Sequence, residues 1–385
     1  MSFIYLDNAA TTYPKPKEVY DYMDYMYRNF GFNSGRSHAS KENNTNEIID
    51  STRLLLKKMV NVGDEYEVVF SPSSTIALNQ IIFGIDYKDK KNIYISYFEH
   101  NSVLRTLEEL KKSYDINIKF LPFDKEKWCY DFEKIEQQFS IDKPDMVIIN
   151  HISNAFGYIS PIEKIGNILR NYNSIFLVDA SQSMGSKTID LKKSNIDFIV
   201  FAGHKTLYGP FGAAGFIMNK KYNIKPYIFG GTGTESDNLN MPEKIPTRYE
   251  AGSMNILSIY GLNKALKWID ETGIEKIESR KKKLTKKLID IVKKYDFIKA
   301  YLPPEEEHSS IISFKIEGYP VDSIAKVLSD EFGIVLRSGL HCAPYAHKLM
   351  GTMPEGTIRV SIGYFTTEED LKAFDNALEE IEYEL

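Results

Sequence analysis

Lys205 follows directly on an apolar run in "FIVFAGHKTLYGPFGAAG" (198–215), and glycines bound its turn. A lysine amine whose pKa is lowered by its site can form a Schiff base with an aldehyde; a surface or structural lysine is the plain alternative. Asp179 closes the apolar run of "FLVDASQSMG" (176–185). A carboxylate at that place is either a turn residue or an acid that keeps a heterocyclic nitrogen protonated. Ser73, Ser74 and Thr75 stand where "FSPSSTIALNQII" (70–82) turns from an apolar run into a helical pattern. Free N–H groups and hydroxyls at a helix start hold an anion such as phosphate, or serve only as an N-cap. Amine, acid and anion site are the three groups that pyridoxal phosphate asks of a protein. A fourth reagent is Cys342 in "RSGLHCAP" (337–344). The thiolate is its nucleophilic form, which a neighbouring cation, His341 or Arg337, favours. The second cysteine, Cys129, lies between Trp128 and Tyr130 and reads as a packed residue.

Positioning these groups requires strand ends brought side by side. Apolar, β-branched runs at 67–70, 92–97, 116–121, 145–150, 174–179, 197–202 and 213–218 read as strands, and their unbroken apolar character suits a sheet covered on both faces. Helical patterns separate them. One carries Ile48, Ile49, Leu55, Leu56 and Met59, and another Val103, Leu107 and Leu110. A third opens on Ser160, Pro161 and Glu163, the pattern of a capping box. Alternation of strand and helix implies a mostly parallel α/β sheet, and such sheets bind ligands at the carboxyl ends of their strands. The pattern changes near residue 255. Two long helices (256–272, 274–295), a strand (309–316), a helix (321–331), strands at 333–338 and 357–362 and a last helix (367–383) describe a smaller α+β domain. The expected division is a large domain over 15–255 and a small one formed by 1–14 with 256–385, which carries the cysteine loop; Gly339 and Gly351 bracket a loop with room to move. The basic run "ESRKKKLTKK" (278–287), beside an apolar stripe of Ile277, Leu284, Leu288 and Ile291, reads as a solvated helix face.

The totals exclude several classes. The chain has 385 residues, 43% of them hydrophobic and 26% charged, with a formal net charge of −5. There is no basic excess for nucleic acid or anionic membranes. Two cysteines make no disulfide framework, which suits a reducing cytosol. No apolar stretch approaches the roughly 20 residues that span a bilayer, and "MSFIYLDNAATT" lacks the pattern of a signal peptide. A cytoplasmic protein is expected.

Several of these stretches, in fixed order, carry a resemblance. "YLDNAATTYPKP" (5–16), "YFEHNSVL", "HISNAFG", "VDASQS", "GHKTLYGPFG", "RYEAGSMN" (248–255), "RSGLHCAPYAHK" and "GTIRVSIGYF" run nearly end to end. The chain resembles the cysteine desulfurase / selenocysteine lyase family, pyridoxal-phosphate enzymes of fold type I in aminotransferase class V. The R-S-G-x-H-C-A form is closest to the subgroup that includes sulfur-mobilising desulfurases and selenocysteine lyases. The resemblance implies a large, mostly parallel seven-stranded sheet domain and a smaller α+β C-terminal domain. It makes Lys205 the residue that holds the cofactor and moves the Cα proton. It pairs Asp179 with the pyridine nitrogen and Gln182 with the phenolic oxygen, stacks His100 on the ring, and places Asn154 near cofactor and substrate. Ser74, Thr75 and His204 would hold the phosphate, with Ser253 reaching it from a partner subunit, so that a homodimer with shared sites is implied. Arg359 would clamp the substrate carboxylate, with His38 on the substrate side. Cys342 would take sulfur from L-cysteine, leaving L-alanine, and pass it to an acceptor protein; L-selenocysteine, or another class V reaction, is the alternative.

The plain readings stand beside these. His38 and His151 serve equally as ordinary polar residues, and Arg337 is a substrate contact or a structural ion pair. Cys342 with His341 and His347 lacks the second close pair of ligands that a metal site needs. The chain also departs from the family pattern: Ala202 replaces a Ser or Thr, leaving Ser73 to make up the phosphate contact, Ile76 replaces an acid, and "YFTT" (364–367) replaces the commoner ending.

Overall fold

The computed structural model describes residues 3–31, 45–89 and 91–384. Seven strands form one sheet in the spatial order Tyr66–Ser71, Ala214–Asn219, Phe198–Ala202, Ile175–Asp179, Met146–Asn150, Asn92–Ile95, Asn117–Phe120. Ala214–Asn219 runs antiparallel to both its neighbours, and the other pairings are parallel. The three central strands are buried at every residue. Their side chains alternate between two cores, as the two-residue strand period requires. Val147, Ile149, Val178, Ile199 and Phe201 join one, and Met146, Ile148, Leu177, Phe198 and Val200 the other. Because both faces are dry, no polar alternation survives in the sequence. Ala77, Leu78 and Ile81 of the helix Ser74–Gly84 and Val103 and Leu107 of Asn101–Leu110 close the second core. Ile49 and Leu56 of Thr45–Met59 and Ile259, Leu262 and Leu266 of Ile256–Thr272 close the first.

Beyond residue 294 a four-stranded antiparallel sheet follows, in the order Ile298–Tyr301, Ile311–Ile316, Thr357–Ser361, Arg337–Gly339. Its core joins Leu284, Leu288 and Val292 of the helix Ile274–Lys294 to Ile312, Phe314, Val360, Phe374 and Leu378. The strand expected at 333–338 is two strands: Ile334–Val335 pairs in parallel with Ile4–Tyr5, while Arg337–Gly339 pairs with Thr357–Ser361. Residues 3–6 thus stitch the start of the chain to this second sheet, and Leu6 lies in its core. Among the described residues no helix is long and apolar enough to cross a membrane.

Two local expectations are corrected. Ser160 does not cap the third helix, which spans Ile162–Leu169 with Pro161 at its N-cap and no side-chain cap bond. The Ser160 hydroxyl instead donates to the Asn150 carbonyl at 2.9 Å, a buried acceptor that outcompetes the helix end. Cys129 is exposed in a two-stranded hairpin, while Trp128 and Tyr130 on either side of it are buried.

Gly166, in the helix Ile162–Leu169, lies hard against the turn that precedes the strand Phe198–Ala202: a Cβ there would sit 1.7 Å from the Ser194 carbonyl oxygen. Gly166→Ala is expected to lower unfolding stability by about 2–3 kcal/mol through overpacking against backbone, read as a lower urea midpoint.

Candidate active site

Asp179 ends a central strand, and the strand beside it, Phe198–Ala202, leads straight into Gly203, His204 and Lys205. Gly203 is required at that turn because a Cβ would meet the Ala213 carbonyl oxygen at 2.1 Å. A cavity of about 180 Å³ opens there, lined by Ser73, Ser74, Thr75, His100, Asn154, Asp179, Gln182, His204 and Lys205 among others. Nine of the residues singled out in the sequence therefore share one site: Ser73, Ser74, Thr75, His100, Asn154, Asp179, Gln182, His204 and Lys205.

Each is held by identifiable contacts. Ser73 accepts from the Ile76 N–H and so caps the helix Ser74–Gly84, whose N-terminus faces the cavity, and Ser73 is thereby engaged as a cap. His100 Nδ1 accepts from the Ser102 N–H at 3.0 Å, capping Asn101–Leu110. Burial, and next the charge of Lys205, push its pKa down to about 4, so the ring is neutral at physiological pH. His204 is pushed down to about 3 for the same two reasons, with Lys15 adding to them. Phe211 stacks on its ring at 4.3 Å, and its Nδ1 is buried without a partner. Asp179 Oδ1 accepts from the Ser181 N–H at 2.9 Å. Gln182 Nε2 donates to the Ala9 carbonyl at 2.7 Å, which commits its N–H to the protein. Burial lowers the Lys205 pKa; Asp179 opposes this and Arg359 and Arg337 reinforce it.

The cysteine loop is seated against the same site. Asn154 Nδ2 donates to the His341 carbonyl at 2.6 Å, and the Asn101 N–H, beside His100, donates to the Cys342 carbonyl at 2.7 Å. His341 and Cys342 both lie in left-handed backbone, φ +48° and +57°, an arrangement that costs non-glycine residues free energy. Arg337 Nη2 is 4.0 Å from Cys342 Sγ. This corrects two expectations. His341 is not the cation beside the thiol: it is buried, bonds Thr357 through Nε2, and has its pKa pushed well down by burial. The stretch between Gly339 and Gly351 is mostly structured, since Pro344–Leu349 is helical.

Arg359 is 1% exposed. Its Nη1 donates to the Asn154 carbonyl at 2.8 Å and its Nη2 pairs with Asp7 Oδ1 at 2.5 Å, while Nε is buried without a partner. Ser253 is exposed and lies outside the cavity lining. His38 lies outside the described residues. His151 is buried away from the cavity and bonds the Ser183 hydroxyl.

Sequence reasoning missed three groups. Thr11 Oγ1, the Thr12 N–H and Lys15 Nζ all donate to the His204 carbonyl, at 2.9, 3.1 and 3.2 Å, and Thr12 Oγ1 donates to the Lys205 carbonyl at 3.0 Å. These four bonds clamp the lysine turn. Asp7 orients Arg359. Glu99, fully buried, accepts from Ser96 Oγ and the Asn150 N–H, and burial pushes its pKa to about 8, so it holds a proton at neutral pH. All lie inside the quoted motifs, so their presence there was the available signal.

The residues fit pyridoxal phosphate: a desolvated amine, a carboxylate on the adjacent strand, and a helix N-terminus with hydroxyls and the unpartnered His204 Nδ1 occupy one cavity of suitable chemistry. A model of the aminotransferase class-V family matches residues 4–374, and the chain belongs to that family. A probable cysteine desulfurase of Pyrococcus abyssi is 31% identical over 386 residues, covering 98% of this chain and 94% of the relative. One from Methanothermobacter thermautotrophicus is 30% identical with the same coverage. Among solved structures, the apo cysteine desulfurase of Thermococcus onnurineus NA1 superposes with a TM-score of 0.91 at 28% identity, covering 100% of this chain and 95% of that one. The α/β fold with a large, mostly parallel seven-stranded sheet is thus shared with cysteine desulfurases.

Buried histidines away from the cavity give a pH prediction. His151, His308 and His347 have pKa values pushed by burial from 6.5 to about 3, 4 and 4. Unfolded, each takes a proton near 6.5, so below that value the unfolded chain binds more protons. Stability is full above about pH 6.5 and falls as pH drops toward 4, by at most about 2 kcal/mol per ring at about pH 5. Urea unfolding across that range should show a falling midpoint.

Proposed function

We propose that the chain is a pyridoxal-phosphate-dependent cysteine desulfurase, acting as a homodimer, that converts L-cysteine to L-alanine and leaves a persulfide on Cys342 for transfer to an acceptor. The observation that carries this reading is the docking of the Cys342 loop, through Asn154 and Asn101, onto the cavity that holds Lys205 and Asp179. When bound, the cofactor supplies an aldehyde for amines and an electron sink for charge developing at the substrate Cα. Lys205, desolvated, holds it and moves the Cα proton. Asp179 keeps the pyridine nitrogen protonated, and His100 as a neutral ring covers one face. Ser74, Thr75 and His204 bind the phosphate, with Ser253 of the second copy completing the site. Arg359, held by Asp7 and the Asn154 carbonyl, keeps N–H groups for the substrate carboxylate. The Cys342 thiolate, beside Arg337, attacks the substrate sulfur. One S–S bond forms, the substrate Cβ–S bond breaks, its electron pair returns to Cβ, and a proton completes alanine, so no outside oxidant or reductant is consumed. Residues 15–255 supply the cofactor site, and 1–14 with 256–385 supply Cys342 and Arg359.

The test is to incubate purified, pyridoxal-phosphate-loaded protein with L-cysteine and a thiol reductant and to quantify alanine and sulfide. Equal amounts of both support the reading. Pyruvate in place of alanine indicates elimination instead, and turnover confined to L-selenocysteine indicates a lyase. A protein that takes up no cofactor sinks every reading in this group.

A further inference from the structure

A second cavity, of about 510 Å³, lies behind the first, and Gln182 lines both. One wall is the face of the helix Ile274–Lys294 that carries Lys281, Lys282, Thr285, Lys286 and Ile289, so the basic run of the sequence is more than a solvated face. The opposite wall is built from Asn8, Ala9 and Thr12, from Ser186 and Lys187, and from residues 308–311.

The charges are unevenly matched. Glu278 is engaged by Lys187, and Glu305 lies 3.6 Å from Lys282. Lys281, Lys286 and Lys293 form no ion pair among the described residues, and Asp290 and Glu306 at the edge leave an excess of positive charge. Lys281 is the deepest of the three. Burial, and next the charge of Lys187, press its pKa down to about 8; Glu278 opposes them but is already bonded. A half-buried cation beside a second cation is relieved by an anion. His308 in the same wall is held neutral by burial and supplies no charge. The Ser310 hydroxyl offers a further donor, and Ile152, Ile289 and Leu302 offer apolar surface for a short carbon skeleton. The volume suits a small metabolite rather than a bare inorganic ion.

We propose that this cavity binds a compact organic dianion, a dicarboxylate or a phosphate monoester, with Lys281 as its principal contact. The two sources share the same cationic recognition and differ in acceptor geometry. The site is independent of the reaction proposed above, because none of these lysines touches the cofactor cavity.

Succinate and glycerol phosphate serve as probes, with glycerol as the uncharged control. The cofactor-loaded protein is trace-acylated with acetic anhydride, and the rate at each lysine is read by peptide mass spectrometry. Lys281 acylation is expected to slow about fivefold or more at about 10 mM probe, a concentration that fills a millimolar site, while the exposed Lys326 is unchanged. Protection by succinate alone identifies a dicarboxylate site; protection by glycerol phosphate alone identifies a phosphate-monoester site. Equal Lys281 rates with both probes and with glycerol overturn the proposal, as does slowing shared by Lys326. In the Lys281→Met protein, the rise in unfolding temperature caused by the effective probe should disappear. If it persists unchanged, Lys281 is not the contact and the proposal fails.

Discussion

Lys205→Ala is expected to lower alanine release from L-cysteine by at least about 10⁴-fold. Lys205 is the desolvated amine at the cavity whose pKa is lowered by burial, and the proposed function asks it for both covalent anchoring and proton transfer. Proton transfer by a positioned group contributes about 10²–10⁴ on its own, and losing the anchor adds to that. Cofactor binding is expected to weaken yet remain measurable, because Asp179, the helix N-terminus at Ser74 and the His204 turn survive the change. Borohydride should fix the cofactor to Lys205 in the wild type and to no peptide in the variant. Near-normal turnover by the variant would mean that another amine serves, and the assignment of Lys205 would be withdrawn.

Cys342→Ser is expected to separate the cofactor from the sulfur chemistry. The hydroxyl is isosteric enough to keep the loop's bonds, which run through backbone carbonyls rather than through Sγ. Cofactor absorbance should therefore be unchanged, while alanine formation from L-cysteine falls by about 10³-fold, since a serine hydroxyl is a weak nucleophile at neutral pH. A persulfide adduct detected by intact mass on wild type after substoichiometric L-cysteine, and missing from the variant, completes the test. Full activity in Cys342→Ser would refute the persulfide route, whereas activity kept only on L-selenocysteine would favour the lyase reading.

What could be read from residues alone follows a physical line. Asp179 and Lys205 were legible because the strands they end are unbroken apolar runs, and adjacent parallel strands bring their carboxyl ends together whatever the loops do. Contacts set by tertiary packing were not legible. Ser160 satisfied every local rule for a cap but met the Asn150 carbonyl first. His341 looked like a loop cation beside the thiol, and only its burial under Thr357 shows that it is neutral. The stretch around Leu336 reads as one strand because its residue types do not reveal that the pairing partner changes midway. The Asp7–Arg359 pair joins residues 352 apart, beyond the reach of any periodicity.

That same pair bears on how the molecule is made. Asp7, Asn8 and Ala9 find their partners at residues 359 and 361. During synthesis the seven-stranded sheet has all its strands well before those partners leave the ribosome. Those three contacts must then wait through almost the whole of translation, although Ala9, Thr11, Thr12 and Lys15 find other partners at residues 182, 204 and 205 earlier, and closing so long a loop carries an entropic cost that only late contacts repay. Arg359 is steadied by Asp7, so this part of the site is finished by one of the last contacts the chain can make and not with the sheet that frames it.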